Sequence, residues 1–221
     1  MIEQKLNIIL DLDNTLLCAV PLDEVKAYPS IYDYLNRNLK WIDMGSFYRI
    51  YLRPHLDDFL DFLFDNYNVS VFTAAERDYA QFVVDKIIKP QYSHRRLDFV
   101  FYRYHNMISL QVYNSMKDLR MLWDIYHMYY FYPWNTIIID DFDLVKKSNP
   151  NNCLQIKKFE VNRSTAVKEK VELINDTSLI NISKKLFELR NRYEEGDLQT
   201  TFFRKEGFPI LYRDYEINRI F

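Results

Sequence analysis

The sequence predicts an α/β fold, a central parallel sheet flanked by helices on both faces, with a small flap inserted after the first strand. Three observations carry this expectation. Short apolar runs at Leu6–Leu10, Val69–Phe72 and Thr136–Ile139 suit strands buried on both faces of a sheet and are too short to span a membrane. Segments of helical period separate them. Each run also ends on residues that handle charge: Asp11 with Asp13, then Thr73, then Asp140 with Asp141. Open α/β sheets bind ligands beyond the carboxyl ends of their strands, where these residues would lie.

Taken in order, Leu6–Leu10 forms the first strand and opens into a loop at Asp11. About forty residues then separate Thr15 from Arg53, too many for a turn. With Pro21, Pro29 and Gly45 they read as a flap over the site, whose Tyr28, Tyr32 and Tyr34 are its own core in preference to a substrate wall. Ser46–Leu52 reads as a strand entering Arg53-Pro54, after which Leu56, Phe59, Leu60 and Leu63 recur at helical spacing. Val69–Phe72 is a strand, and Glu76–Ile88 a helix through Ala80, Val83, Val84 and Ile87 that Pro90 helps end. Phe99–Tyr102, Thr136–Ile139 and Leu154–Ile156 are further strands, and Asp118–Tyr126 is a helix. The aromatics of Trp123–Trp134 read as core ahead of a partner surface. Leu179, Ile182, Leu186 and Leu189 mark an amphipathic helix capped by Asp176 or Thr177. A single domain over residues 1–221 is expected, with its core over about 6–190 and an unassigned extension over about 193–221.

The chemistry begins with Asp11 and Asp13, two residues apart where a strand opens into a loop, so both can reach the crevice. A carboxylate can attack phosphorus if something offsets the repulsion between two anions. Mg²⁺ would do this with oxygen ligands from Asp11 and from Asp140 or Asp141, and Lys117 could add fixed positive charge. Asp13 is then free to protonate a leaving oxygen and later to deprotonate water. A calcium loop is the competing reading of Asp11-x-Asp13-x-Thr15, but Leu16 stands where its sharp-turn glycine belongs and Leu22 where its bidentate glutamate belongs. Thr73 and Lys117 taken singly read as a strand-end residue and a surface lysine; their order behind Asp11 reverses that reading. Adjacent carboxylates at Asp140-Asp141 repel unless a cation is close.

The chain resembles haloacid-dehalogenase (HAD) superfamily phosphatases, of the branch containing the phosphatases of the RNA polymerase II C-terminal domain (FCP/SCP type). The resemblance rests on LDLDNTLL (Leu10–Leu17), YLRPHLDDFL (Tyr51–Leu60), VFTAAERDYA (Val71–Ala80), MKDL (Met116–Leu119) and IIIDDFDLVKKSNPNN (Ile137–Asn152), and spans about Leu6 to Ile156. It implies a Rossmann-like HAD fold. By resemblance Asp11 is the nucleophile, Asp13 the acid/base, Thr73 a donor to a phosphate oxygen, and Lys117 the stabilising cation. Asp141 is a metal ligand with Asp11 and the Asp13 backbone carbonyl, Asp140 supports it, and Arg103 contacts the substrate. The chain departs from the branch at Asn14, where Glu is common, and at Phe142-Asp143, where Ser-Pro is common.

Composition narrows the rest. The 221 residues are 48% hydrophobic and 17% aromatic, enough for a full core, and the net charge of −2 comes without a basic run, so no nucleic-acid patch is expected. Only three glycines exclude glycine-rich phosphate loops and dinucleotide fingerprints. Two distant cysteines, Cys18 and Cys153, and no signal or membrane segment point to an intracellular protein, cytoplasmic or nuclear. The expected activity is a Mg²⁺-dependent phosphatase acting through phospho-Asp11, with a phosphoserine- or phosphothreonine-bearing protein as substrate and partner. The alternatives are a phosphatase of nucleic-acid ends or of a small phosphometabolite, and a catalytically silent protein that keeps the fold for binding.

Overall fold

A computed structural model describes residues 5–90, 94–165 and 167–194. The chain runs β1 (Asn7–Leu10), β2 (Leu17–Pro21), α1 (Leu22–Ala27), α2 (Pro29–Asn38), β3 (Trp41–Met44), β4 (Tyr48–Leu52), α3 (Leu56–Asn66), β5 (Asn68–Phe72), α4 (Arg77–Val83), β6 (Leu97–Phe101), α5 (Arg103–Tyr113), α6 (Arg120–Asp124), β7 (Thr136–Asp140), α7 (Asp143–Ser148), β8 (Cys153–Gln155), α8 (Val167–Ile174) and α9 (Ser178–Glu194). A π-helical turn over Val84–Ile88 continues α4.

Five strands form a parallel sheet in the order β6-β5-β1-β7-β8. From β1 the chain moves outward through β5 and β6, then crosses back to β7 and β8. The direction of winding therefore reverses between β1 and β7, the place where such sheets open a crevice. Leu10 pairs with Ile139 and the Asp11 N–H donates to the Ile139 carbonyl at 3.1 Å, which sets Asp11 beside Asp140.

Successive strand residues face opposite sides, so strands covered on both faces need apolar side chains throughout. Ile8, Leu10, Val69, Val71, Ile137 and Ile139 pack toward α3, α4 and α9, where Leu60, Leu63, Val83, Leu179, Leu186 and Leu189 meet them. Ile9, Phe72 and Ile138 pack on the other face with Phe101, Leu119, Leu122, Phe131 and Val145.

The expected strand at Ser46–Leu52 is present as β4, but it lies outside the parallel sheet. It pairs antiparallel with β2 (Leu17 opposite Leu52) and β3 (Trp41 opposite Tyr51), building the flap as a second, three-stranded sheet. Gly45, at φ 57°, supplies the left-handed residue of the turn between β3 and β4. The flap has its own core of Cys18, Val20, Val25, Tyr32, Leu35 and Tyr51, joined by Phe159 and Val161. Tyr32 is thus core, whereas Tyr28 and Tyr34 are exposed.

The helix expected over Asp118–Tyr126 shortens to α6, because Asp118 turns its carboxylate onto Arg120 at one end and the Ile125 and Tyr126 N–H groups share the Met121 carbonyl at the other. In the aromatic stretch, Phe131 is buried and Trp123 and Tyr126 pack on the core, while Tyr129 is 84% exposed. Helix α5 has no clear apolar stripe in its sequence, since Tyr104, Met107, Leu110 and Val112 all face outward. Its start is secured instead by His105, whose Nδ1 accepts the Tyr102 N–H at 3.2 Å. Among the described residues no helix is long and apolar enough to cross a membrane. Residues 195–221, most of the unassigned extension, lie outside the described residues.

Arg53 of the Arg-Pro segment is buried and acts as a brace. Its Nε and Nη2 donate to both carboxylate oxygens of Asp176 at 3.0 Å, Nη1 donates to the Thr15 carbonyl at 2.7 Å, and Nη2 to the Lys157 carbonyl at 2.7 Å. Asp176 also accepts the Ser178 N–H at 2.8 Å, so it caps α9 as it holds Arg53. One guanidinium thereby ties the loop after β1, the segment after β8 and the start of α9.

Removing one partner leaves a buried charge alone. Asp176→Ala is expected to cost about 3–5 kcal/mol, read from urea unfolding. Burial alone would raise the Asp176 carboxyl, but Arg53 outweighs it and holds it below the usual 3.8. A depressed folded value stabilises the protein above the unfolded value and is lost as pH falls through the folded one. Asp176→Asn should therefore flatten acid destabilisation below about pH 4; an unchanged acid limb contradicts the assignment.

Candidate active site

The loop after β1 is wound tightly. The Thr15, Leu16 and Leu17 N–H groups all donate to the Leu12 carbonyl, at 3.3, 2.9 and 3.2 Å, and Asn14 takes a left-handed conformation (φ 62°) with its N–H on the Leu17 carbonyl at 2.7 Å. Asparagine tolerates that region better than most residues, which accounts locally for Asn14. The turn holds Asp11 and Asp13 at the mouth of the crevice. Thr15 crosses it: its hydroxyl donates to Asp141 Oδ1 at 3.2 Å and accepts the Asp141 N–H at 3.1 Å, locking the β1 loop to the β7 loop.

Lys117 lies between two carboxylates, with Nζ 2.5 Å from Asp11 Oδ1 and 2.7 Å from Asp140 Oδ2, all three side chains buried. Its backbone is left-handed (φ 45°), unfavourable for lysine and maintained by the surroundings. The Lys117 N–H donates to Asn106 Oδ1 at 3.0 Å, and Asn149 Nδ2 donates to the Lys117 carbonyl at 2.9 Å while its Oδ1 accepts the Leu119 N–H. Burial alone would lower the ammonium, but Asp11 and Asp140 outweigh it and keep it charged.

Asp13 Oδ1 accepts the Tyr79 hydroxyl at 2.5 Å. Burial is the main cause of a carboxyl pushed up to about 6, with the Asp11 charge adding to it and Tyr79 opposing it. That value gives both protonation states near neutrality, the property required of a group that donates and then accepts a proton. Asp140 and Asp141 are raised as well, first by burial and then by the Asp11 charge.

Asp11, Asp140 and Asp141 can each offer an oxygen within 4.8 Å of the others. An all-oxygen set with two negative charges left over after Lys117 fits a hard divalent cation such as Mg²⁺. Both Asp140 oxygens are already engaged, by Lys117 and by the Phe142 N–H at 2.9 Å. Asp11 and Asp141 each keep an oxygen without a hydrogen bond among the described residues, so these two have more capacity to accept a cation than Asp140.

Thr73 directly follows β5, the strand that pairs with β1. Its N–H donates to the Phe101 carbonyl at 2.9 Å and its hydroxyl oxygen accepts the Ala75 N–H at 3.1 Å, leaving the hydroxyl hydrogen free to donate. Arg103 stands apart at the exposed start of α5. Its N–H bonds the Ala75 carbonyl at 2.8 Å and its guanidinium pairs with Glu76 at 2.6 Å, so it borders the Thr73 loop without entering the buried cluster. Sequence reasoning assigned nothing to Tyr79, Asn106 or Asn149. Tyr79 lies one helical turn beyond Glu76, a weak signal; the two asparagines act through backbone contacts that spacing cannot reveal.

Comparisons with known proteins bear on the family and the fold. A family model described as "NLI interacting factor-like phosphatase" matches residues 6–191. The CTD phosphatase-like protein 355R of Invertebrate iridescent virus 6 is 39% identical over 162 residues, 69% of this chain and 85% of that protein. Its counterpart in Invertebrate iridescent virus 3 is 31% identical over 197 residues, 83% and 96% respectively. Among solved structures, Fcp1, an essential RNA polymerase II CTD phosphatase, matches with a TM-score of 0.54 at 19% identity. The fission yeast Fcp1-R271A structure bound to beryllium fluoride gives 0.53 at 20%. Each covers 99% of this chain, which spans 60% and 61% of theirs, and at that identity they establish the fold.

With the Asp140 and Asp141 carboxyls raised, a cation set among them must displace protons, and its binding should tighten as pH rises. Mg²⁺ is expected to raise the thermal unfolding midpoint more at about pH 8 than at about pH 5. Equal shifts at the two pH values would contradict the shared site.

Proposed function

Because the chain belongs to the NLI interacting factor-like phosphatase family, we propose that it is a Mg²⁺-dependent phosphatase that works through a phospho-Asp11 intermediate on phosphoserine or phosphothreonine of a protein. The observation that carries this is the position of Asp11 at the sheet's switch point, 2.5 Å from a buried ammonium and two residues from an acid/base candidate pushed up to about 6.

In this reading Asp11 attacks phosphorus as the ester oxygen leaves, and protonated Asp13 gives its proton to that oxygen. Water then attacks the phospho-Asp11 phosphorus, Asp13 takes the proton back, and Asp11 is released with inorganic phosphate. Lys117 stabilises the Asp11 carboxylate and the transferring group, and the Thr73 hydroxyl donates to a phosphate oxygen. A cation held by Asp11, Asp141 and the Asp13 carbonyl, with Asp140 in support, would supply charge neutralisation for the anionic substrate. Arg103 sits at the rim, where a peptide beyond the phosphorylated residue would pass.

The protein substrate is supported by the names of the viral relatives and by the absence of a basic run in the sequence. Asp11→Asn is expected to abolish turnover and covalent labelling by phosphate, whereas Asp13→Asn slows turnover by about 10²–10⁴-fold. Wild-type turnover in Asp11→Asn would dismiss the nucleophile. Turnover should vanish in excess chelator. In competition, a phosphoserine-proline peptide should outrun a 3′-phosphorylated oligonucleotide, and Arg103→Ala should reduce kcat/KM for the peptide more than for a small aryl phosphate. A preference for the oligonucleotide by about tenfold, or about 1.4 kcal/mol, would overturn the substrate class and leave the chemistry standing.

A further inference from the structure

Asp13 is oriented by a chain of contacts that ends in the flap. Its Oδ1 is occupied by the Tyr79 hydroxyl at 2.5 Å, which leaves Oδ2 for proton transfer. The Tyr79 ring in turn meets the Tyr48 ring edge-on, centroids 6.1 Å apart and planes at 81°. Tyr48 is the first residue of β4, directly after the turn that carries Gly45. Two hydrogen bonds fix that end of the flap: the Leu22 N–H on the Phe47 carbonyl at 2.9 Å and the Phe47 N–H on the Met44 carbonyl at 3.1 Å.

A phenol has one hydrogen to donate, and Tyr79 places it on Asp13. A carboxyl left to rotate would have to be ordered again in each transition state, and pre-ordering it removes that cost. We propose that Tyr79 is a positioning residue for Asp13, and that Tyr48 of the flap holds Tyr79 in place, so that the flap sets how well Asp13 delivers its proton. The proposal rests on Asp13 being the acid/base group. In the transfer step the Asp11–phosphorus bond forms, the bond from phosphorus to the leaving oxygen breaks, and the Asp13 proton goes to that oxygen. A serine oxygen is strongly basic and needs the proton; a p-nitrophenolate oxygen scarcely does. Loss of positioning must therefore be selective for the poorer leaving group, whereas general damage to the site would slow both alike.

The test is the single-turnover transfer rate, in Mg²⁺, for a phosphoserine peptide and for p-nitrophenyl phosphate. It compares the wild type, Tyr79→Phe, Tyr48→Ala, the double variant and Asp13→Asn. The ratio of peptide to aryl rate is expected to fall about tenfold or more in Tyr79→Phe, by a smaller factor in Tyr48→Ala, and no further in the double variant than in Tyr79→Phe. Tyr79→Phe keeps the ring and its packing, and Tyr48 is 38% exposed, so one or both variants remain measurable. A uniform loss in Tyr79→Phe beside a selective loss in Asp13→Asn overturns the positioning role and leaves the acid/base reading intact. A uniform loss in Asp13→Asn overturns both. Additive losses in the double variant overturn the link to the flap.

Discussion

Two neighbouring strands end in carboxylates that face the same crevice, and the packing of the sheet places them side by side whether or not their charges agree. Lys117 reconciles them. A buried ammonium beside buried carboxylates loses hydration that only close, well-directed contacts can return, and Lys117 makes two, to Asp11 and Asp140. The rest of the site follows from that placement. Asn106 from α5 and Asn149 after α7 grip the lysine backbone in a conformation it would not adopt freely, so elements on one side of the sheet are recruited to hold a single charge at the end of β1.

Asp141 and Asp13 escape this neutralisation and are shaped by it. With the Asp140 oxygens spent on Lys117 and on the Phe142 N–H, Asp141 is the acid of the pair with capacity left for a cation. Asp13 leans toward the flap and Tyr79. Hydrogen bonding thus puts three chemically identical side chains in different environments, as happens wherever like groups share a site. Arg53 completes the frame from behind, because its bond to the Thr15 carbonyl steadies the same loop whose hydroxyl locks Asp141.

The parallel sheet and most of the charged cluster were legible in the sequence, for a physical reason. A strand covered on both faces is apolar at nearly every position, so Ile8-Ile9-Leu10 and Ile137-Ile138-Ile139 announce themselves, and a carboxylate immediately after such a run stands out. The flap sheet was harder to read. β2 is buried at three of its five positions without strict alternation, β3 is buried at none, and Tyr48–Leu52 gives no sign of which sheet it joins. α5 hides its identity because its exposed face is apolar. Tyr79, Asn106 and Asn149 lay beyond sequence reasoning, since each acts through one hydrogen bond or a backbone contact between distant segments. Arg53 was visible as part of a motif, but its partner Asp176 read only as a helix cap; its second role depends on the closing of the chain.

The position of β1 at the centre of the sheet also has a consequence for how the chain is made. On one side β1 pairs with β5, which follows after the flap and α3; on the other it pairs with β7, much later in the chain. In a nascent chain that has emerged only as far as β6, β1 has its β5 neighbour but not β7, and an unpaired strand edge of that kind invites association with other chains. The lysine and the acidic pair come after that point. During synthesis Asp11 and Asp13 therefore precede both Lys117 and Asp141, and the charged cluster can come together only when β7 docks beside β1. For this topology the pairing of β7 with β1 and the assembly of the charged cluster are one step.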